Sequence, residues 1–237
     1  KHERGMNNED VYGTNLITVS ADELLDCGAI IPPTVNVHTI ESVRTKEEVA
    51  DLDAETVLRV IEADNAQRVL VSAPSARIIN AMMAFTDLFR ELRSRDYNVM
   101  TITSKHGAII NGKKTSRAKF FKALHEFSDK NEKFVLFHYS ILSEGINVHG
   151  LTNVVLLRNL STVEMAQTIG RVIRLDSVDR KRVSDGTLAP RAYHQYHKPT
   201  GFISIPVYSN YGKATAKRVQ ATVDTIFTKG RPATAWI

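Results

Sequence analysis

Apolar positions along this chain fall into two kinds of run. Short blocks that are apolar on nearly every residue stand at 67–73 (QRVLVSA), 99–103, 134–139 (FVLFHY), 153–157 (NVVLL) and 201–208 (GFISIPVY). Runs this short, with no solvent-facing side, predict strands buried on both faces of a parallel sheet. Residues 35–40 alternate and predict one more strand. Between the blocks, apolar residues recur at helical spacing: 53–64 through Val57, Val60 and Ile61, a single long helix over 76–93 opened by Pro74 and Ser75, then 116–127 and 213–227. Strands alternating with helices predict an α/β domain, a mostly parallel sheet with helices on both faces.

The punctuation between these runs adds detail. Residues 1–10 are polar and read as a loose terminus, and 11–34 as a connector. Within it Ser20 and Glu23 form a capping box, Gly28 ends a short helix, and Pro32 and Pro33 force an extended exit. The stretch 104–117, SKHGAIINGKKTSR, reads as a basic loop. Gly107, Gly112 and Lys113 satisfy GxxxxGK, but the next position, which must supply a hydroxyl for magnesium, is Lys114, and Thr115 comes one residue late. That argues against a phosphate-binding P-loop. Lys105, His106, Lys113, Lys114 and Arg117 are instead available to nucleic-acid phosphates, or are simply solvated. Residues 177–200 are polar and mixed in charge and read as a flexible or disordered loop. His194 and His197 there are joined by no Cys or carboxylate cluster that would argue for a metal. Trp236, near the end, is expected to pack on a neighbour.

Composition narrows the classes. The chain has 237 residues, 43% hydrophobic, enough for one large domain with appendages, and a formal net charge of +5 that favours an anionic partner. Lone Cys27 excludes an internal disulfide framework and a cysteine zinc cluster. No apolar run approaches the roughly 18 residues of a membrane span, and the start lacks a signal-peptide core. A cytoplasmic, reducing location without membrane contact is expected, and a first residue of Lys suggests a piece of a longer protein.

The chemistry is expected in residues 133–176, KFVLFHYSILSEGINVHGLTNVVLLRNLSTVEMAQTIGRVIRLD. The pattern is strand, polar loop, strand, turn, helix. The helix opens on Ser161 with Glu164 three residues later, a second capping box. Steps of about 100° per residue put Gln167, Arg171 and Arg174 on one side, with Gly170 near them, and Met165, Ile169, Val172 and Ile173 on the other. A sheet can bury the apolar side and leave two guanidiniums and an amide held out. Gly170 costs a helix interior roughly 1 kcal/mol against Ala, which suggests close approach of another chain or a ligand.

SEGINV, a strand, Ser161 and then QTIGRVIR resemble motifs V and VI of superfamily 2 helicases, closest in flavour to DNA helicases and translocases of phages and restriction systems. The resemblance implies a RecA-like three-layer domain, the second (C-terminal) motor domain of an ATP-dependent enzyme. It implies a connector over 1–34 and the domain over 35–237, with motif IV near 69–75, motif V at 139–147 and motif VI at 167–174. Arg171 and Arg174 would be arginine fingers for ATP held, with Mg2+, mainly by a preceding N-terminal RecA-like domain. Gln167 and Gly170, with Gly145 and Asn147 of motif V, would line the nucleotide cleft. Ser72, Ser75 and Ser140 would touch a DNA backbone, single strand or duplex. Two positions depart from the pattern: Asn147 where many relatives have Asp, and Tyr139 where many have Thr. The alternatives are an RNA helicase domain, a nucleic-acid-binding module without catalysis, and a phosphotransferase built on Gly107 to Lys113.

Overall fold

The computed structural model describes residues 19–139, 148 and 150–224. Its strands are β1 (Pro33–Ile40), β2 (Arg68–Ser72), β3 (Asn98–Thr103), β4 (Gly107–Ile110), β5 (Lys113–Thr115), β6 (Phe134–His138), β7 (Asn153–Leu156) and β8 (Gly201–Tyr208). They form one sheet in the order β1-β8-β7-β2-β6-β3-β4-β5. Pairing is parallel from β1 through to β3 and antiparallel for β3 with β4 and β4 with β5. The helices are α1 (Ala21–Asp26), α2 (Val49–Ala63), α3 (Ala76–Phe85), α4 (Leu88–Ser94), α5 (Arg117–Asp129), α6 (Thr162–Val172), α7 (Ser177–Ser184) and α8 (Lys213–Val223).

Strand alternation divides the core in two. Leu70, Leu136, Met100 and Ile102 face a layer built from Phe120 and Leu124 of α5, Met165, Ile169 and Val172 of α6, and Val219 and Val223 of α8. Val69, Val71, Val99, Val135 and Phe137 face Val57, Val60 and Ile61 of α2, Ile79 and Met82 of α3, and Leu88 and Leu92 of α4. This is the three-layer α/β architecture that the periodicity and the motif resemblance predict.

Three expectations are corrected. The single helix over 76–93 is two, because Thr86 turns extended (φ −118°, ψ 169°). Its hydroxyl donates to the Met82 carbonyl at 2.6 Å and accepts from the Leu88 N–H at 3.2 Å, closing one helix and opening the next. The basic loop over 104–117 contains a β-hairpin added to the sheet edge. Asn111 (φ +49°) and Gly112 (φ +80°) make the turn, the Asn-Gly pair that hairpin turns favour. The GxxxxGK resemblance therefore spans a strand and a turn, with no phosphate cradle.

Residues 177–200 are folded, holding α7 and a 3-10 turn at Tyr193–Gln195. Asp179 and Lys198 within them are buried, as is Asp176 just before them. Asp176 Oδ1 caps α7 through the Asp179 N–H at 2.8 Å, and Asp176 Oδ2 pairs with His197 Nδ1. The Asp179 carboxylate accepts the backbone N–H groups of His197 and Lys198 at 2.9 and 2.8 Å. A charged set satisfied in this way reads as solvated loop in a one-dimensional pattern and as core in three dimensions.

The capping box at Ser20 forms as expected, and Gly28 (φ +67°) ends α1. The connector then joins the domain: Ile31 is fully buried in the core and its N–H donates to the Ile173 carbonyl at 2.9 Å. The predicted helix over 213–227 is seen to Val223, and Trp236 lies outside the described residues. No helix among the described residues is long and apolar enough to cross a membrane.

Candidate functional site

Helix α6 is fixed at both ends. At its start the Ser161 hydroxyl accepts from the Glu164 N–H at 3.3 Å and the Glu164 carboxylate accepts from the Ser161 N–H at 2.9 Å. Arg158, just past β7, donates to Glu164 at 2.8 Å and to the Tyr139 carbonyl at 2.9 Å, with its guanidinium 5.2 Å from the Tyr139 ring centre. The Arg158 bond, followed by the Ser161 backbone, holds the Glu164 carboxyl down to about 2.

Under this helix, at the carboxyl ends of β2 and β6, lies a narrow cleft of about 20 Å³, the room of a single water. Ser72, His138, Tyr139, Arg158, Glu164, Gln167, Thr168 and Arg171 line it. His138 Nε2 meets the Ser72 hydroxyl at 3.0 Å, while its Nδ1 is buried with no partner among the described residues. Burial, with the nearby charges of Arg158 and Arg171, pushes His138 down to about 3, so the imidazole is neutral. It is a poor proton acceptor, and Glu164, the one carboxylate among the described lining residues, is taken up by Arg158 and the Ser161 N–H. Of the lining residues, the guanidiniums of Arg158 and Arg171 are the groups whose chemistry suits an anion.

The two arginines sit differently from the expectation of a shared outward face. Arg171 is only 7% exposed, sunk along the cleft. Burial first, and the charge of Arg174 second, lower its affinity for its proton. Arg174 lies beyond the helix, which ends at Val172, and forms an isolated β-bridge with Ile30. It is partly exposed, and the exposed Gln167 and half-buried Gly170 complete the face. A Cβ added at Gly170 would meet nothing within 4 Å among the described residues, so their packing does not account for that glycine.

The remaining expected site residues divide. Ser72 is fully buried, with its hydroxyl bonded to His138. Ser75 caps α3, accepting from the Ile78 N–H at 3.2 Å. Lys105, Lys113 and Lys114 are exposed on the hairpin and its approach, with His106 half-buried. Gly145, Asn147 and Ser140 lie outside the described residues. No group of three or more His, Cys, Asp or Glu among the described residues is placed to hold a metal, His194 and His197 included.

The sequence reading passed over His138, Arg158 and Lys198. His138 ends an apolar strand, and nothing local separates it from a satisfied core histidine. Lys198 is fully enclosed. Burial and the charge of Arg68 push it down to about 7, with Asp176 and Asp179 acting in the opposite sense.

Residues 53–176 match the family described as the helicase conserved C-terminal domain. No curated protein sequence matches the chain. Among solved structures, the ATP-dependent Type ISP restriction-modification enzyme LlaBIII bound to DNA is similar over 95% of this chain and 16% of its own, at 12% identity and TM-score 0.58. A fragment described as an HsdR subunit of a type I restriction enzyme from Vibrio vulnificus YJ016 is similar over 85% of this chain and 41% of its own, at 20% identity and TM-score 0.54. The chain thus spans well under half the length of either structure, and at these identities the likeness is one of fold.

Proposed function

The chain belongs to the family of the helicase conserved C-terminal domain, and on that premise we propose that it is the second motor domain of a superfamily 2 ATP-dependent DNA helicase or translocase, acting through Arg171 and Arg174. The observation that carries this reading is the nearness of two guanidiniums at one end of α6. Each carries a permanent charge, and Arg174 is close enough to disfavour the charge on Arg171. An arriving anion relieves that repulsion, most of all one whose charge grows as a phosphoryl group is transferred. Gln167 and the bare backbone at Gly170 leave room beside them for a partner domain carrying ATP.

ATP is the substrate in this reading. The described residues offer guanidiniums for its phosphates and no carboxylate cluster for Mg2+. In this reading the metal, which would neutralise phosphate charge, is held mainly by a preceding N-terminal RecA-like domain. This chain's own part is to orient and stabilise the phosphate from across the cleft. The exposed Lys105, Lys113 and Lys114, with Ser75 and the half-buried His106, supply a basic edge for the nucleic-acid backbone.

Arginine fingers are typically worth about 10³–10⁵ in rate. Arg171→Ala in the full-length protein is expected to bring ATP hydrolysis near background while leaving DNA binding largely intact. A mutant ATPase rate close to wild type would remove the finger assignment. Stimulation of hydrolysis by single-stranded RNA in preference to DNA would turn the reading to an RNA helicase.

A further inference from the structure

The carbonyls that follow Arg171 are all occupied. Lys198 Nζ donates to the carbonyls of Val172 and Arg174, both at 2.6 Å, and the Ile31 N–H takes the Ile173 carbonyl between them at 2.9 Å. A helix terminus leaves its last carbonyls without internal partners. Here a buried lysine takes two that bracket the turn between the arginines. Lys198 is in turn held: Asp179 accepts its backbone N–H at 2.8 Å and that of His197 at 2.9 Å, and Asp179 is fully buried. Gly201, three residues on, passes so close that a Cβ there would lie 2.4 Å from the Val172 carbonyl oxygen. The segment carrying Lys198 lies beyond residues 53–176, the span matched to the helicase family.

We propose that Lys198 is a positioning residue for the arginine pair, fixing the backbone at 172–174 so that Arg171 and Arg174 are directed to one phosphate. This rests on the reading of those arginines as fingers. An ordinary helix cap would need one donor near the last turn. Lys198 instead spans both sides of Ile173, so its two bonds set the direction in which the chain leaves α6 and therefore where Arg174 starts. Guanidiniums reach far on flexible stems, and an uncertain root displaces the tip by more. Misplacement by about 1 Å can cost on the order of 10²-fold in rate.

The test uses ATP hydrolysis by the full-length protein, stimulated by single-stranded DNA. Lys198→Met keeps most of the unbranched stem of the side chain and removes its donors. It is expected to lower kcat by roughly tenfold or more, leaving KM for ATP and DNA affinity within about twofold, and Lys198→Arg is expected to recover most of the loss. In an Arg171→Ala background, measured with enzyme in excess, the loss caused by Lys198→Met is expected to be smaller than in the wild type, with Arg174 alone left to misplace, since residues acting through one another are not additive. An unchanged kcat in a folded Lys198→Met protein, or a loss that adds in full to that of Arg171→Ala, overturns the positioning role. If Lys198→Met does not fold, Asp179→Asn, which loosens the grip on the Lys198 backbone at constant volume, is measured in its place. A severalfold fall in kcat supports the role and an unchanged kcat overturns it. An inactive Arg171→Ala beside an unaffected Lys198→Met removes this proposal alone, whereas an active Arg171→Ala removes the finger reading and this proposal with it.

Discussion

His138 shows how one buried side chain ties stability to pH. Its value in the folded chain is about 3, against 6.5 for an ordinary histidine. Below pH 6.5 the unfolded chain takes up a proton that the folded chain refuses until about pH 3. Stability is therefore intact above pH 6.5 and falls as pH drops through that window, by roughly 1.4 kcal/mol per pH unit at most. Glu164, lowered to about 2, adds a loss in the same direction from near pH 4.5 downward. Urea midpoints for wild type and His138→Gln, compared at pH 7.5 and pH 4.5, check this. The mutant should be the less stable at the higher pH, with the gap narrowing or reversing at the lower one. A gap independent of pH would mean that His138 does not stay neutral.

Legibility at this scale was uneven for a physical reason. Capping boxes are local, and Ser20 with Glu23 and Ser161 with Glu164 form as their spacing predicts. Ser72 and His138 meet only because β2 and β6 pair across 66 residues of sequence, and Arg171 is buried by contacts that no helical wheel contains.

Among the elements, the hairpin β4–β5 is the instructive case. Its turn was announced by Asn111-Gly112, yet the overlapping GxxxxGK drew the reading toward a loop. Asn111 does more than turn. Its side-chain oxygen accepts from the Val99 N–H at 2.8 Å, its amide donates to Asn98 at 3.0 Å, and its backbone N–H donates to the Val99 carbonyl at 2.8 Å. Asn111→Ala should thus cost about 1–3 kcal/mol through an unmet buried donor and a strained left-handed residue. Denaturant unfolding measures it, and a change under about 0.5 kcal/mol would show that the turn is not fastened in this way. The break between α3 and α4 carried a weaker signal, since a Thr inside an apolar periodic run is common within helices, and only its hydroxyl's two bonds make Thr86 a boundary.

At the scale of the whole molecule, periodicity was enough to predict layers and parallel strands, but not the strand order. That β8, late in the chain, lies between β1 and β7 follows from long-range pairing alone. The same limit hid the folding of 177–200, which starts from the buried Asp176, a residue with a partner in a distant segment: Arg68 Nη2 stands 4.0 Å from Asp176 Oδ2. It also hid how deeply the connector is built in. Ile31→Ala, at a fully buried site, is expected to destabilise the domain by roughly 2–5 kcal/mol. Thermal or urea unfolding would show it, and a near-silent mutation would mean that the domain's fold ends short of residue 31.

The bridge between Ile30 and Arg174 gives the incoming backbone the character of a tiller. Ile31 is hydrogen-bonded to the residue just before Arg174, so a pull along the chain entering the domain is delivered to the root of that guanidinium through main-chain bonds alone.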